Sequence, residues 1–389
     1  MINKKLTIIC SKEFYYDGKS YKTTGGFGRY IEEFARHFKK VDVCIPVYNV
    51  KDFDGYEVKG KNITFKHLPP AQREYTFAFK TPKKIYLLKK YLKDTDYVHI
   101  LIPSYDAILA FLIARKYNKP TFGYMGSDWE QLSYYSWRKG IRRPLSKFYS
   151  LTNDRLTKKV VDSIPMFLLG DALYKKYYKK GKPVFKTINS ALSKKELSKF
   201  KDKCNKKEIQ LLYVGRLAAE KGITYLLDSV KELKNKNYKI KLNIVGDGPY
   251  RNELPRKTKE LDIEKEVNFI GFVSSRKKLN SIYRNNDIFI LPSTNDALAK
   301  VLIEAMAASL PVIATDVGGL STVVKNNKTG LLIKPRSSKQ IEDAVKKIVK
   351  NKVLRHNIIK GGLKMAEENT VENVVSKRIA NLRKIGFLP

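Results

Sequence analysis

Short β-branched runs alternate with longer amphipathic ones along nearly the whole chain, and they do so in two series. In the first half the strand candidates are Leu6–Ser11, Val41–Val47, Ile63–Leu68, Tyr97–Pro103, Thr121–Met125, Ser163–Leu169 and Val184–Asn189. Helical patterns lie between several of them, at Phe27–Phe38, Lys83–Leu92 and Tyr105–Tyr117. In the second half the strand candidates are Gln210–Val214, Ile240–Val245, Val267–Ile270, Ile288–Leu291, Val312–Thr315 and Gly330–Ile333. Their helical partners are Ile223–Leu233, Tyr250–Leu261, Lys277–Tyr283, Val301–Ala308 and Lys339–Val349. A helix after each strand carries the chain back to start the next strand in the same direction. Such a series makes a parallel sheet with helices on both faces. Two series predict an α/β protein of two doubly wound, Rossmann-like domains, 1–192 and 208–370. The polar, lysine-rich stretch Ser193–Lys207 is the expected linker. A last helical pattern, Val371–Ile385, can by its spacing pack on either domain. The length of 389 residues suits two domains, and 43% hydrophobic residues are enough for two cores.

Lys and Arg total 77 against 38 Asp and Glu, a formal net charge of +39. Such a field favours polyanions: nucleic acid, anionic membrane or phosphorylated ligands. The excess runs along the whole chain and forms no single block, so solvated surface lysines explain it equally well. Cys10 and Cys44 fall in apolar runs and Cys204 in the connector, with no Cys-x-x-Cys pair. His37, His67, His99 and His356 are scattered, so neither a zinc site nor a disulfide framework is indicated. No apolar run reaches the roughly 18 residues that span a bilayer. The first apolar run, Leu6–Cys10, is shorter than a signal-peptide core and is followed by charge. A cytoplasmic protein is expected.

In doubly wound domains ligands bind beyond the carboxyl ends of the strands, so the loops after strands carry the chemistry. The first such loop is Thr24-Gly25-Gly26-Phe27-Gly28-Arg29, which opens the first long helix. Glycines let a backbone approach a ligand, and a helix N-terminus favours an anion. A plain tight turn explains this loop equally well. The second is Gly215-Arg216-Leu217-Ala218-Ala219-Glu220-Lys221-Gly222, directly after Gln210–Val214. An Arg fork and a Lys point charge on one post-strand loop suit a diphosphate, although basic residues are common everywhere in this chain. The third runs from Ser293 to Ala307. Asp296 and Glu304 stand eight residues apart there, a little over two helical turns, and so point to a similar side. Glu304 is flanked by Val301, Leu302, Ile303, Ala305 and Met306, and a carboxylate in so apolar a helix has a specific partner. Gly246-Asp247-Gly248-Pro249 and Val317-Gly318-Gly319 also end strands, as ordinary turns.

In this order, these segments resemble the family 4 glycosyltransferases (glycosyl transferases group 1). The family pattern G-R-L-x-x-E-K-G, V-G-D-G-P, F-x-G, E-x7-E and E-A-M-A…P-V-I-A-T-D-V-G-G is matched by Gly215–Gly222, Val245–Pro249, Phe269–Gly271, Asp296–Glu304 and Glu304–Gly319. The first half resembles the family more loosely, through the Gly25-Gly26 loop. The resemblance implies a GT-B fold, two Rossmann-like domains facing across a cleft, with residues 371–389 crossing back to the first. It implies retaining transfer from a UDP- or GDP-sugar to a glycan or lipid-linked acceptor, with no metal and no cofactor. Position by position, Arg216 and Lys221 are then expected on the donor diphosphate and Glu304 on the ribose. Backbone amides of Leu298, Ala299 and Lys300 are expected on phosphate or sugar, Val273 beside the base, and Gly25 and Gly26 close to the diphosphate. Asp296 is expected at the donor sugar. The family's His-Asp pair is answered by Gly126-Ser127-Asp128-Trp129, in which Asp128 is kept and the His is missing. The first acid of E-x7-E is the shorter Asp296, and Gly-Phe-Gly is replaced by Ala297-Leu298-Ala299. These departures fall at the sugar and the acceptor.

Two rival readings remain at this level: a sugar-nucleotide epimerase of the same architecture, and a basic nucleic-acid-binding protein. No usual nucleic-acid module is present. The segment Lys80–Lys93 adds a membrane expectation. Ile85, Leu88 and Leu92 form a helical stripe flanked by Lys83, Lys84, Lys89 and Lys90, a pattern that can lie on an anionic bilayer at the cytoplasmic face. A Rossmann helix packing the same stripe on its sheet is the competing explanation.

Overall fold

The protein is described here as a computed structural model covering residues 1–50, 53–70, 74–129, 143–188, 190–204, 207–296 and 300–389. The chain divides into two compact units, Met1–Ala191 with Val371–Pro389, and Leu192–Thr370.

In the first unit the strands are β1 (Ile2–Ile9), β2 (Phe14–Tyr16), β3 (Tyr21–Thr23), β4 (Phe38–Asn49), β5 (Tyr56–Glu57), β6 (Ile63–Leu68), β7 (Tyr97–Ile102), β8 (Thr121–Met125), β9 (Met166–Leu169) and β10 (Val184–Thr187). The parallel part runs β10-β9-β8-β7-β1-β4, with β6 also on β4. Period-two alternation sends Leu6, Ile8, Val41, Val43 and Ile45 to one face and Ile9 and Cys44 to the other. The first face is covered by α1 (Phe27–His37), through Ile31 and Phe34. The second is covered by α2 (Glu74–Lys93), α3 (Tyr105–Lys116), α4 (Arg143–Ser163) and α5 (Gly170–Tyr177). Beyond the expected pattern, β2, β3 and β5 extend the sheet, with β3 antiparallel to both β2 and β5. These strands are two or three residues long, too short to show a period.

The second unit holds β11 (Ile209–Val214), β12 (Ile240–Val245), β13 (Val267–Gly271), β14 (Ile288–Leu291), β15 (Val312–Thr315) and β16 (Leu331–Ile333). Their order is β13-β12-β11-β14-β15-β16, every pair parallel. This is the dinucleotide-fold order, reversing between β11 and β14. The helices are α6 (Ile223–Asn235), α7 (Glu253–Glu260), α8 (Arg276–Asn285), α9 (Lys300–Ala307), α10 (Leu320–Val323), α11 (Ser338–Lys350) and α12 (Lys352–Glu368). A final helix, α13 (Val371–Lys384), belongs to the first unit, where Val371, Val375, Ile379 and Leu382 enter the core on the α1 side.

The stretch expected as a linker is instead bound to the second unit. Ser198 N donates to Ala307 O at 2.8 Å, Lys201 N to Ser309 Oγ at 2.8 Å, and Cys204 is buried. Asp202 accepts two hydrogen bonds of 2.8 Å from the buried Arg355 guanidinium and makes a third contact with His356. Burial works to raise the Asp202 pKa, but these donors hold it below the carboxylate range. Lysine-rich composition reads as linker because it counts surface charge and cannot see one buried carboxylate that fastens the strap.

The membrane expectation meets a correction in α2. Leu88 and Leu92 are fully buried against the sheet with Val98, Ile100 and Phe111, so the apolar stripe is core. Lys84 is 2% exposed, and its Nζ pairs with Asp106 Oδ1 at 2.7 Å. Lys83, Lys89 and Lys90 are exposed. The helix also begins earlier than expected, with Pro82 inside it. Among the described residues no helix is long and apolar enough to cross a membrane.

Candidate functional site

Where the strand order reverses, the loops leaving two adjacent strands part and open a crevice. In the second unit those strands are β11 and β14, and the loops are residues 215–222 and 292–296. They are stitched together. Thr294 donates to Glu220 O through N at 2.8 Å and through Oγ1 at 3.2 Å. Gly222 takes φ +63°, and a Cβ there would stand 2.1 Å from Pro292 O, so only glycine allows this approach. The Gly246–Pro249 turn joins the same cluster, with Leu217 N donating to Asp247 O at 2.9 Å.

Two residues given separate tasks meet here. Lys221 Nζ donates to Asp296 Oδ2 at 2.6 Å, and Ser293 Oγ donates to the same oxygen at 3.1 Å. Arg216 is half exposed and pairs with Glu220 one turn on, while Tyr213 OH donates to its carbonyl at 2.9 Å. Glu304 lies on α9 and is 9% exposed, with the specific partners its apolar helix demanded. Arg276 Nη1 donates to Oε1 at 2.6 Å and Tyr283 OH to Oε2 at 3.2 Å. Arg276 Nε also donates to Glu196 Oε1 at 2.9 Å, where Asn280 Nδ2 donates at 2.8 Å. Burial works to raise the Glu196 pKa, yet the Arg276 charge and the Ser193 amide bring it down to about 2. Lys300 opens α9 at the surface, and Val273 is half-buried between β13 and α8. Leu298 and Ala299 lie outside the described residues.

In the first unit Gly25 takes φ +67°, and Gly26 is the N-cap of α1. A Cβ on Gly26 would lie 2.3 Å from Ala191 Cβ, and Arg29 Nη1 donates to Ala191 O at 2.8 Å. Close backbone packing therefore accounts for this glycine within the unit. Asp128 follows the carboxyl end of β8 and is buried, with Lys176 Nζ at 2.9 Å from Oδ2. Asp154 lies 3.5 Å from the same Nζ. Sequence reasoning missed Lys176, Arg276, Tyr283 and Glu196. A basic or acidic residue carries no signal in a chain with 77 Lys and Arg, and the partners are distant in sequence.

Residues 194–365 match the family described as glycosyl transferases group 1. A search of curated proteins finds "Protein CapJ" of Staphylococcus aureus, 28% identical over 347 residues, which are 86% of this chain and 85% of that one. It also finds the lipopolysaccharide 1,2-N-acetylglucosaminetransferase of Salmonella typhimurium, 36% identical over 157 residues, 38% of this chain and 41% of that one. Several other curated relatives match over only about half of their own length. Among solved structures, Anabaena HepE in complex with UDP superposes with a TM-score of 0.69 at 14% identity, over 98% of this chain and 100% of that one. The fold is therefore GT-B, and the match to glycosyl transferases group 1 falls on the second unit, over less than half of the chain.

Proposed function

We propose that the chain transfers a sugar from a UDP- or GDP-sugar to a glycan or lipid-linked acceptor, with retention, in the synthesis of cell-surface polysaccharide or glycolipid. One observation carries this reading: Arg216 and Lys221 on one post-strand loop at the β11/β14 reversal, with Asp296 beside Lys221. The sugar–phosphate bond at C1 breaks, the bond from C1 to the acceptor oxygen forms, and the acceptor proton goes to the leaving diphosphate. Arg216 and Lys221 stabilise the charge that collects on that diphosphate, which is electrostatic catalysis from fixed donors. A diphosphate reaching Lys221 takes the ammonium from Asp296 and leaves that carboxylate for the sugar hydroxyls. The UDP complex of HepE and the lipopolysaccharide enzyme of Salmonella support the donor and the pathway class. The reading places the protein on the cytoplasmic face of the membrane, held through the exposed Lys83, Lys89 and Lys90.

Losing a charge-assisted contact costs about 1.5–3 kcal/mol. Arg216→Ala and Lys221→Ala should each weaken UDP or GDP binding by about tenfold or more in calorimetric titration. Unchanged affinity in both variants, with the fold intact, would sink the assignment.

Transfer is proposed to need no metal, since the cationic loop supplies the charge that an ion otherwise brings. Two Asp-x-Asp triplets occur, Asp52–Asp54 and Asp94–Asp96. Asp52 lies outside the described residues. Asp96 sits at the amino end of β7, away from the strand ends that bind ligands. It accepts from Lys5 N at 2.8 Å and pairs with Lys4 at 3.5 Å. Turnover should survive EDTA unchanged, and activity lost to EDTA and restored by Mg or Mn would refute this.

A further inference from the structure

Glu304 is the acid expected to read the ribose, yet its carboxylate does not stand alone. Four side chains from two elements, α8 and the strap, converge on it directly or through one another. Arg276 and Tyr283 come from the two ends of α8, and each takes one of its oxygens. Glu196 comes from the strap that enters the second unit, and it holds Arg276 from the other side. Asn280 holds Glu196. The strap is itself fixed: Ser193 and Glu196 form a capping box, with Ser193 N donating to Glu196 Oε2 at 2.8 Å.

The lone pairs show what this leaves. An ionised carboxylate has about four acceptor positions, two on each oxygen. The protein fills one on each, from Arg276 and from Tyr283. One position per oxygen remains, on a side chain that is 9% exposed. Two adjacent acceptors match the two neighbouring hydroxyls of a ribose. The charges agree. Arg276 stands between two carboxylates, so the group keeps a net negative charge to accept hydroxyl donors. Without Arg276 and Tyr283 the carboxylate can rotate about its last bond, and two hydroxyls would have to fix it at the cost of their own binding.

We propose that Arg276 and Tyr283 are positioning residues. They set the Glu304 carboxylate to accept a vicinal diol, and the strap residue Glu196 holds Arg276 in place, so that the site selects ribonucleotides over 2′-deoxyribonucleotides. This rests on the nucleotide-site reading above and adds to it the residues that give that reading its sugar specificity.

The test is titration of the full chain with UDP and 2′-deoxy-UDP, and with GDP and 2′-deoxy-GDP, following the ratio of the two affinities. The wild-type protein should prefer the ribonucleotide by about tenfold or more, as expected for hydroxyls donating to a charged acceptor. Glu304→Gln should remove most of that preference. Arg276→Met and Tyr283→Phe should bring the ratio to within about threefold, by weakening the ribonucleotide while the 2′-deoxy form binds nearly as before. Arg276→Lys should restore part of the ratio. Glu196→Gln has the same size but loses the charge and one of the two acceptors beside Arg276 and Ser193, and it should give a smaller loss of the same kind, which keeps the test open if Arg276→Met unfolds. A merely structural role would weaken both nucleotides equally and leave the ratio untouched. That result, or a wild-type ratio near one, would overturn the proposal while leaving the nucleotide site standing. Wild-type protein that binds neither UDP nor GDP would overturn the nucleotide reading itself.

Discussion

Lys84→Gln is expected to destabilise the first unit by about 3–5 kcal/mol, because it strips a buried carboxylate of its partner. Lys84 is 2% exposed and Asp106 3%, with 2.7 Å between Nζ and Oδ1. The loss should fall toward the lower end of that range. Asp106 lies in the first turn of α3, where free amides oppose its charge, and Ser11 Oγ stands 3.4 Å away. The double variant Lys84→Met with Asp106→Leu should recover most of the stability, since apolar replacement of a buried pair is often neutral. Urea unfolding of the three proteins measures this, and a Lys84→Gln loss below about 1 kcal/mol would show the pair to be solvated. The triple variant Lys83→Gln, Lys89→Gln, Lys90→Gln should unfold like the wild type. It is therefore the variant to sediment with phosphatidylglycerol vesicles, where a binding loss reports the surface and not the fold.

Acid should weaken the first unit well above the carboxylate range, through His99. Its ring is fully buried, stacked on Phe122 with centroids 4.3 Å apart. Nδ1 donates to the Phe122 carbonyl at 3.3 Å, so Nε2 is the acceptor for Tyr30 OH at 2.7 Å. Tyr30 in turn accepts from the buried Arg378 Nη1 at 2.6 Å. Burial first, and the Arg378 charge second, press the His99 pKa down to about 3. The unfolded histidine titrates near 6.5, so between these values only the unfolded chain takes up the proton. Stability is complete above about pH 6.5 and falls as the pH falls toward 3. The expected loss is about 2 kcal/mol between pH 7 and pH 5, and on the order of 4 kcal/mol over the whole window. His99→Gln keeps an acceptor and cannot titrate, so the difference between the two pH profiles isolates this residue. His37, also lowered by burial, contributes equally to both. Parallel profiles would show that His99 is protonated without penalty.

Central parallel strands such as β8, β11, β14 and β15 were legible because each is a short apolar run buried on both faces, and such runs stand out in any chain. The reversal-point loops were legible because glycine marks where strands end. What was not legible is pairing at a distance. Lys84 and Lys83 are neighbours with the same chemistry, and one is core while the other is solvent. Only the position of Asp106 across the helix pair decides between them. Asp202 reads as one acid in a basic connector until Arg355 arrives from the far end of the second unit. Helix α12 was missed because its Gly361 and Gly362 argue against a helix, although a Cβ on Gly361 would lie 2.1 Å from Lys328 O. At the candidate site the motif placed Arg216, Lys221, Asp296 and Glu304, and it was silent on the ion pairs each of them makes.

The chain leaves the first unit at Ala191 and returns to it at Val371. A ribosome therefore finishes the second unit before the first. While the second unit is being made, the first waits with one face of its sheet unfinished. Ile31, Phe34 and Phe38 face a groove that Val371, Val375, Ile379 and Leu382 have yet to fill. The last helix also brings Arg378, which lies over the rings of Tyr124, Tyr30 and Phe167 and donates to Tyr30. The first unit is thus closed by a helix that follows the whole second unit in sequence. Until Val371–Lys384 has been made the nascent chain carries an open apolar groove, and this helix is what buries it.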